Sequence, residues 1–187
     1  MPSELASQAA VPVQDGAAAP PAAVAAADAL VRVVEVDDAE FYVGDLFRRQ
    51  FGGDPPDYPR HFVALYRASR SAFVALGYLH CTTFDDVALA GGLLVDERAR
   101  VRMPAAHQAV VREAGGLAAM LFRQTFARFA ALPALWAYVG DREVRRIFAR
   151  AGFAAVADSH IMVRWNRDVG DDERAARIAR IRSLGAF

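Results

Sequence analysis

The sequence predicts an α/β domain: a mixed, mostly antiparallel central sheet with helices on both faces. Three observations predict it. A short β-branched run is followed by an amphipathic one. Three strand-like runs then follow one another directly between positions 61 and 95. From there, helical periodicity alternates with short apolar runs to the end of the chain. Successive strands pair antiparallel, and helices set between strands must cover the sheet's faces.

The elements follow in order. Residues 1–28 are rich in Ala and Pro with few large apolar groups, too little to offset ordering entropy, and are expected to form a disordered tail. The domain is expected to span 29–168. Residues 30–36 (LVRVVEV) read as a first strand, and 39–51 as a helix, with Phe41, Leu46, Phe47 and Phe51 at roughly helical spacing. The stretch 52–59 (GGDPPDYP) cannot continue a helix and reads as a loop. Strands are expected at 61–67, 72–83 and 87–95, with Asp85 and Asp86 in the turn between the last two. Gly91-Gly92 inside the third suggests a bulge or a close backbone approach.

Pro104 is placed to begin a short helix ending at Gly115. After Gly116, the residues Ala118, Leu121, Phe122, Thr125, Phe126 and Phe129 form one helical stripe that Pro133 closes. Residues 135–139 (LWAYV) read as a buried strand. Asp141 caps a helix whose inner face is Val144, Ile147, Phe148 and Ala151, and Gly152 stops it. Strands at 153–157 and 159–165 follow. The segment 169–187 holds a terminal helix over 171–184, acidic first and arginine-rich later, in keeping with the helix dipole.

Composition narrows the function. A chain of 187 residues suits one well-buried domain. Net charge is zero, which gives no electrostatic case for a nucleic-acid partner or an anionic membrane. All 22 basic residues besides histidine are arginine, the better fork for phosphate, though a biased base composition would leave the same mark. Cys81 is the single cysteine, so no internal disulfide forms and a reducing cytoplasm is expected. Four scattered histidines show no metal-ligand spacing, and no metal is expected. No secretory signal and no membrane span are legible.

Three segments carry a resemblance: residues 91–96 (GGLLVD), 112–118 (REAGGLA) and 141–153 (DREVRRIFARAGF). A glycine pair at a helix start offers backbone N–H groups to an anion. In this order, within the strand pattern above, these segments resemble the GNAT superfamily of acyl-CoA-dependent N-acyltransferases, over residues 30–165. The resemblance implies acetyl-CoA or another acyl-CoA as cofactor and a small-molecule amine as acceptor. It implies that Leu93 and Val95 meet pantetheine through their main chains. It further implies that Arg112 and the amides around Gly115, Gly116, Leu117 and Ala118 meet pyrophosphate, with Asp141 adding a contact where the family usually has Asn. Two departures stand out. About fifteen residues separate Asp96 from Arg112, longer than usual, and Phe148 occupies the position of the family's tyrosine acid.

The reaction so implied needs a base, an oxyanion stabiliser and an acid for the leaving thiolate. Tyr78 and His80 share a face of their strand, and His80 is the candidate base, otherwise a packed or surface histidine. Tyr138, near the end of its strand, is the candidate acid in place of Phe148, otherwise a core tyrosine. Asp54, Asp57 and Tyr58 lie in the loop where the family lines its acceptor site; either its two carboxylates suit a cationic amine, or the loop is a plain proline-stiffened connector. Arg98, Arg100 and Arg102 either reach the cofactor's 3′-phosphate or solvate a loop. Cys81 alternates away from His80, which disfavours a Cys-His nucleophile pair. The terminal helix, through Ile178, Ile181 and Leu184, packs either on a partner subunit, giving a homodimer, or on its own domain. The alternative to an enzyme is a non-catalytic module of this fold that binds CoA, an acyl carrier or a partner protein.

Overall fold

The computed structural model describes residues 19–186. Elements run in the order α1 (Pro21–Leu30), β1 (Val31–Val36), α2 (Glu40–Phe51), β2 (Arg60–Arg67), β3 (Phe73–Phe84), β4 (Val87–Val95), α3 (Glu97–Arg100), α4 (Ala105–Glu113), α5 (Gly116–Arg128), β5 (Ala134–Tyr138), α6 (Arg142–Arg150), β6 (Ala154–Ala155), β7 (Ile161–Trp165) and α7 (Asp171–Leu184). The strands form one sheet in the order β1-β2-β3-β4-β5-β7-β6. The β4–β5 pair is parallel and the other pairs are antiparallel, giving the mixed, mostly antiparallel sheet that was expected.

One expectation is overturned at the start. Residues 21–28 are not a tail but most of α1, and the first strand begins at Val31 instead of position 30. The alanines that deprive this stretch of bulk are the best helix formers, and Pro21 is tolerated at the first turn. Ala23 and Ala27 are buried, Ala27 in the main core cluster, and α1 lies against α4. The rest of the expected tail, residues 1–18, lies outside the described residues.

Helices cover both faces. On one, α5 inserts Leu117, Met120, Leu121 and Phe122 into a core shared with Phe62, Leu79, Ala90, Leu135 and, from α6, Phe148. Phe148 is 1% exposed and meets Phe122 and Phe153 edge-on at centroid distances of 4.9 and 5.0 Å. Such pairs add about 0.5–1.5 kcal/mol each beyond burial. On the other face, α2 packs Val43 and Phe47 over Val63, Tyr78 and Leu94. The terminal helix α7 packs Ile181 over Leu89, Trp136 and Val163 of its own sheet. Arg177 and Arg180 pair with Asp86, and Arg180 also with Asp85, pinning α7 to the β3–β4 turn. Its apolar side is therefore used within the domain. Asp86 is held below the usual carboxylate range by its hydrogen bond with Arg177. Among the described residues, no helix is long and apolar enough to cross a membrane.

Candidate functional site

The site begins where two parallel strands part. Ala88–Ala90 of β4 pair with Leu135–Ala137 of β5, and the ladder stops there. Past that point Val139 donates its N–H to the His160 carbonyl at 2.8 Å, so β5 continues along β7 alone. On its other edge β4 stays with β3 but carries one extra residue. Tyr78 pairs with Leu94 and His80 with Gly91, which leaves Gly92 and Leu93 opposite Leu79. Gly92 has φ +62°, a conformation that favours glycine, and the bulge expected from Gly91-Gly92 is present. Leu93 and Val95 lie on the stretch of β4 that has left β5, and both are half-buried.

The segment between β4 and α5 explains the long spacing. Asp96 caps α3 by accepting the Ala99 N–H at 3.0 Å. Gln108 of α4 donates to the Met103 carbonyl at 2.9 Å, and His107 Nδ1 meets the Tyr66 hydroxyl at 2.8 Å. The extra residues thus form two packed helices that deliver the chain to the glycine pair.

Gly115 and Gly116 have φ of +92° and +85°. Gly115 donates its N–H to the Arg112 carbonyl at 3.0 Å, so that amide closes the turn. The amides of Gly116, Leu117 and Ala118 open α5, whose start carries no side-chain cap. Arg112 is exposed, and its guanidinium makes no ion pair or hydrogen bond among the described residues. Uncapped helix-start amides and an exposed guanidinium on the preceding turn have the chemistry that a diphosphate needs.

On the α2 face the candidate base sits in a polar cluster. His80 is 8% exposed and its ring lies against the bulge. Tyr58 meets it edge-on at 5.0 Å, and Phe47 lies 6.3 Å away. Tyr78 Oη lies 3.3 Å from His80 Nδ1 and 2.6 Å from Nδ1 of His61, which pairs across β2–β3 with His80. Burial pushes His80 down to about 4, with repulsion from His61 assisting. Burial also lowers His61, opposed by a backbone hydrogen bond at Tyr58 and by Asp38, Asp37 and Asp57. Burial raises the Tyr78 phenol.

The other expected site residues divide. His61 floors a cleft of about 350 Å³ lined also by Asp37, Asp38, Glu40 and Asp57, so Asp57 and Tyr58 both adjoin the histidine cluster. Asp54 does not join them: it is exposed and held 2.7 Å from Arg48. Tyr138 lies on the Trp136 side of β5, against the His160 ring at 5.5 Å, in a second cleft of about 380 Å³ with Ser159 and Arg182. Asp141 accepts the Val144 N–H at 2.8 Å and serves as the cap of α6. Cys81 is buried on the α5 face with its thiol pushed up by burial, away from His80 as strand alternation required.

Sequence reasoning missed His61. Its partnership with Tyr78 and His80 depends on hairpin register, which residue types alone did not indicate.

No family model matches the sequence, and no curated protein matches it either. Solved structures similar to the chain include an acetyltransferase of the GNAT family from Staphylococcus aureus Mu50, at 9% identity and TM-score 0.44, spanning 73% of this chain and 99% of that one. N-acetylglutamate synthase from Neisseria gonorrhoeae, complexed with coenzyme A and N-acetyl-glutamate, matches at 14% and 0.45 over 74% of this chain and 35% of its own. The ribosomal-protein-S18-alanine N-acetyltransferase from Escherichia coli matches at 11% and 0.41 over 76% and 98%.

Proposed function

We propose that this chain is an acyl-CoA-dependent N-acyltransferase of the GNAT type, acting on the amine of a small acceptor, with acetyl as the default acyl group. The observation that carries the proposal is the parting of β4 from β5 at a glycine bulge, with His80 lying against that bulge. Bound acyl-CoA supplies an activated thioester carbonyl. Gly116, Leu117, Ala118 and Arg112 hold its diphosphate, and the main chain at Leu93 and Val95 lines its pantetheine arm.

His80 is neutral throughout the physiological range. It takes the proton that the acceptor nitrogen sheds as the new C–N bond forms, when that nitrogen is most acidic. Tyr138 is the remaining candidate for returning a proton to the leaving sulfur. The cleft of Asp37, Asp38, Glu40 and Asp57 suits an acceptor that carries a second positive charge.

Calorimetry with acetyl-CoA tests the cofactor, and thiol release across a panel of di- and polyamines tests the reaction. Absence of binding at millimolar acetyl-CoA removes the reading. A second reading follows from Phe148: that side chain is sealed in the core and has no proton to give. A module that binds CoA or an acyl carrier without turnover would show heat on titration and no thiol release with any amine.

A further inference from the structure

We propose that Tyr78 and His61 are positioning residues that hold His80 as its Nδ1–H tautomer, leaving the Nε2 lone pair turned toward Gly91. One hydroxyl faces two imidazole nitrogens of the same kind: Tyr78 Oη is 2.6 Å from His61 Nδ1 and 3.3 Å from His80 Nδ1. A phenol has a single proton to donate, while its oxygen can also accept. It therefore serves one nitrogen as donor, and the other nitrogen must carry its own proton and donate to the oxygen.

The short contact to His61 takes the hydroxyl proton, because a strong O–H donor makes the closer bond. His80 Nδ1 is then the donor to Tyr78 Oη. The opposite assignment would put the phenol proton on the long contact and the imidazole proton of His61 on the short one. Burial makes the choice binding: His61 is 2% and His80 8% exposed, so two lone pairs set against each other at either hydroxyl contact would have little water to turn to. Nε2 of His80 stands over Gly91, where a Cβ would lie 2.7 Å from it, and Nδ1 stands over Gly92. Only because both positions are glycine does the ring fit edge-on against the strand, just past the last β4 residue that pairs with β5.

This inference rests on the reading of His80 as the base, but its test does not. The imidazole 15N shifts of labelled protein distinguish protonated from unprotonated ring nitrogens directly. The expected spectrum at pH 7 has a protonated Nδ1 and an unprotonated Nε2 at His80. Tyr78→Phe releases the ring to its Nε2–H form. His61→Gln, whose side-chain oxygen still accepts from Tyr78, preserves the Nδ1–H form, whereas His61→Phe does not.

With an acylatable amine in hand, Tyr78→Phe lowers kcat on the order of a hundredfold, near the low end of what a placed base contributes, with KM for acetyl-CoA unchanged. An Nε2–H His80 in the unsubstituted protein overturns the assignment, even if Tyr78→Phe fails to fold. The expected spectrum in a protein that turns over no amine keeps the assignment and rejects the acyltransferase reading instead.

Discussion

The His80 imidazole lies so close to Gly92 that a Cβ there would sit 2.5 Å from both its Nδ1 and its Cε1. The same Cβ would also meet Phe47 at 3.2 Å, so the ring has nowhere to retreat. Gly92→Ala combines that overlap with a positive φ. Left-handed backbone costs an alanine roughly 1–2 kcal/mol, and overpacking of a filled site typically adds about 1–3 kcal/mol. The variant is expected to lose about 2–5 kcal/mol of stability by urea denaturation. Gly91→Ala, whose φ is not positive, should lose less. An unchanged midpoint for Gly92→Ala would mean that His80 does not occupy this position.

Acid should unfold the protein partly through His80. The folded chain holds this side chain near 4 against an ordinary 6.5, so between those values the unfolded chain binds a proton that the native state refuses. Stability from this group is complete above pH 6.5, declines as pH falls toward 4 and is absent below. At about 1.4 kcal/mol per pH unit, the loss across the window is about 3 kcal/mol. Urea midpoints from pH 7 to pH 4.5 should fall less steeply in His80→Gln than in the parent. Parallel slopes would place the acid sensitivity elsewhere.

Arg112 is exposed and unpaired among the described residues, so replacing it should leave the fold intact. Arg112→Glu removes a charge-assisted hydrogen bond, a contribution of about 1.5–3 kcal/mol, and adds repulsion toward phosphate. Affinity for CoA is expected to drop at least tenfold by calorimetry, with an unaltered thermal midpoint. Equal affinity would take the diphosphate away from the start of α5.

Tyr138→Phe separates acid chemistry from packing. If the hydroxyl protonates the leaving sulfur, kcat falls about a hundredfold or more while CoA binding holds. Restoration of the rate with an acyl donor whose thiol is more acidic would confirm the role. A variant as fast as the parent would leave the thiolate to solvent.

Much of the fold was legible because local patterns suffice for it. The bounds of β4 and α7 are those the sequence implied, since Gly-Gly, acidic and arginine-rich ends and β-branched runs act over a few residues. α1 was misjudged because an alanine-rich segment is helical only when something covers it, and α4 covers it here. Of the acceptor-loop residues, Tyr58 and Asp57 reach the histidine cluster, while Asp54 is drawn off by Arg48, a choice among neighbouring charges that spacing does not encode.

By itself the sequence determined that His80 and Tyr78 share a face and that Cys81 does not, because side chains alternate along any strand. Only the tertiary structure brought His61 to them. Near the turn, Arg67 pairs with Phe73 and Leu65 with Ala75, a register that would continue to set His61 against Leu79 and turn Tyr78 and His80 to the other face. An irregularity between Ala64 and Leu65 shifts the pairing by one, so that His61 meets His80. A shift of one residue exchanges the two faces of a strand, and its location depends on how sheet and helices pack together.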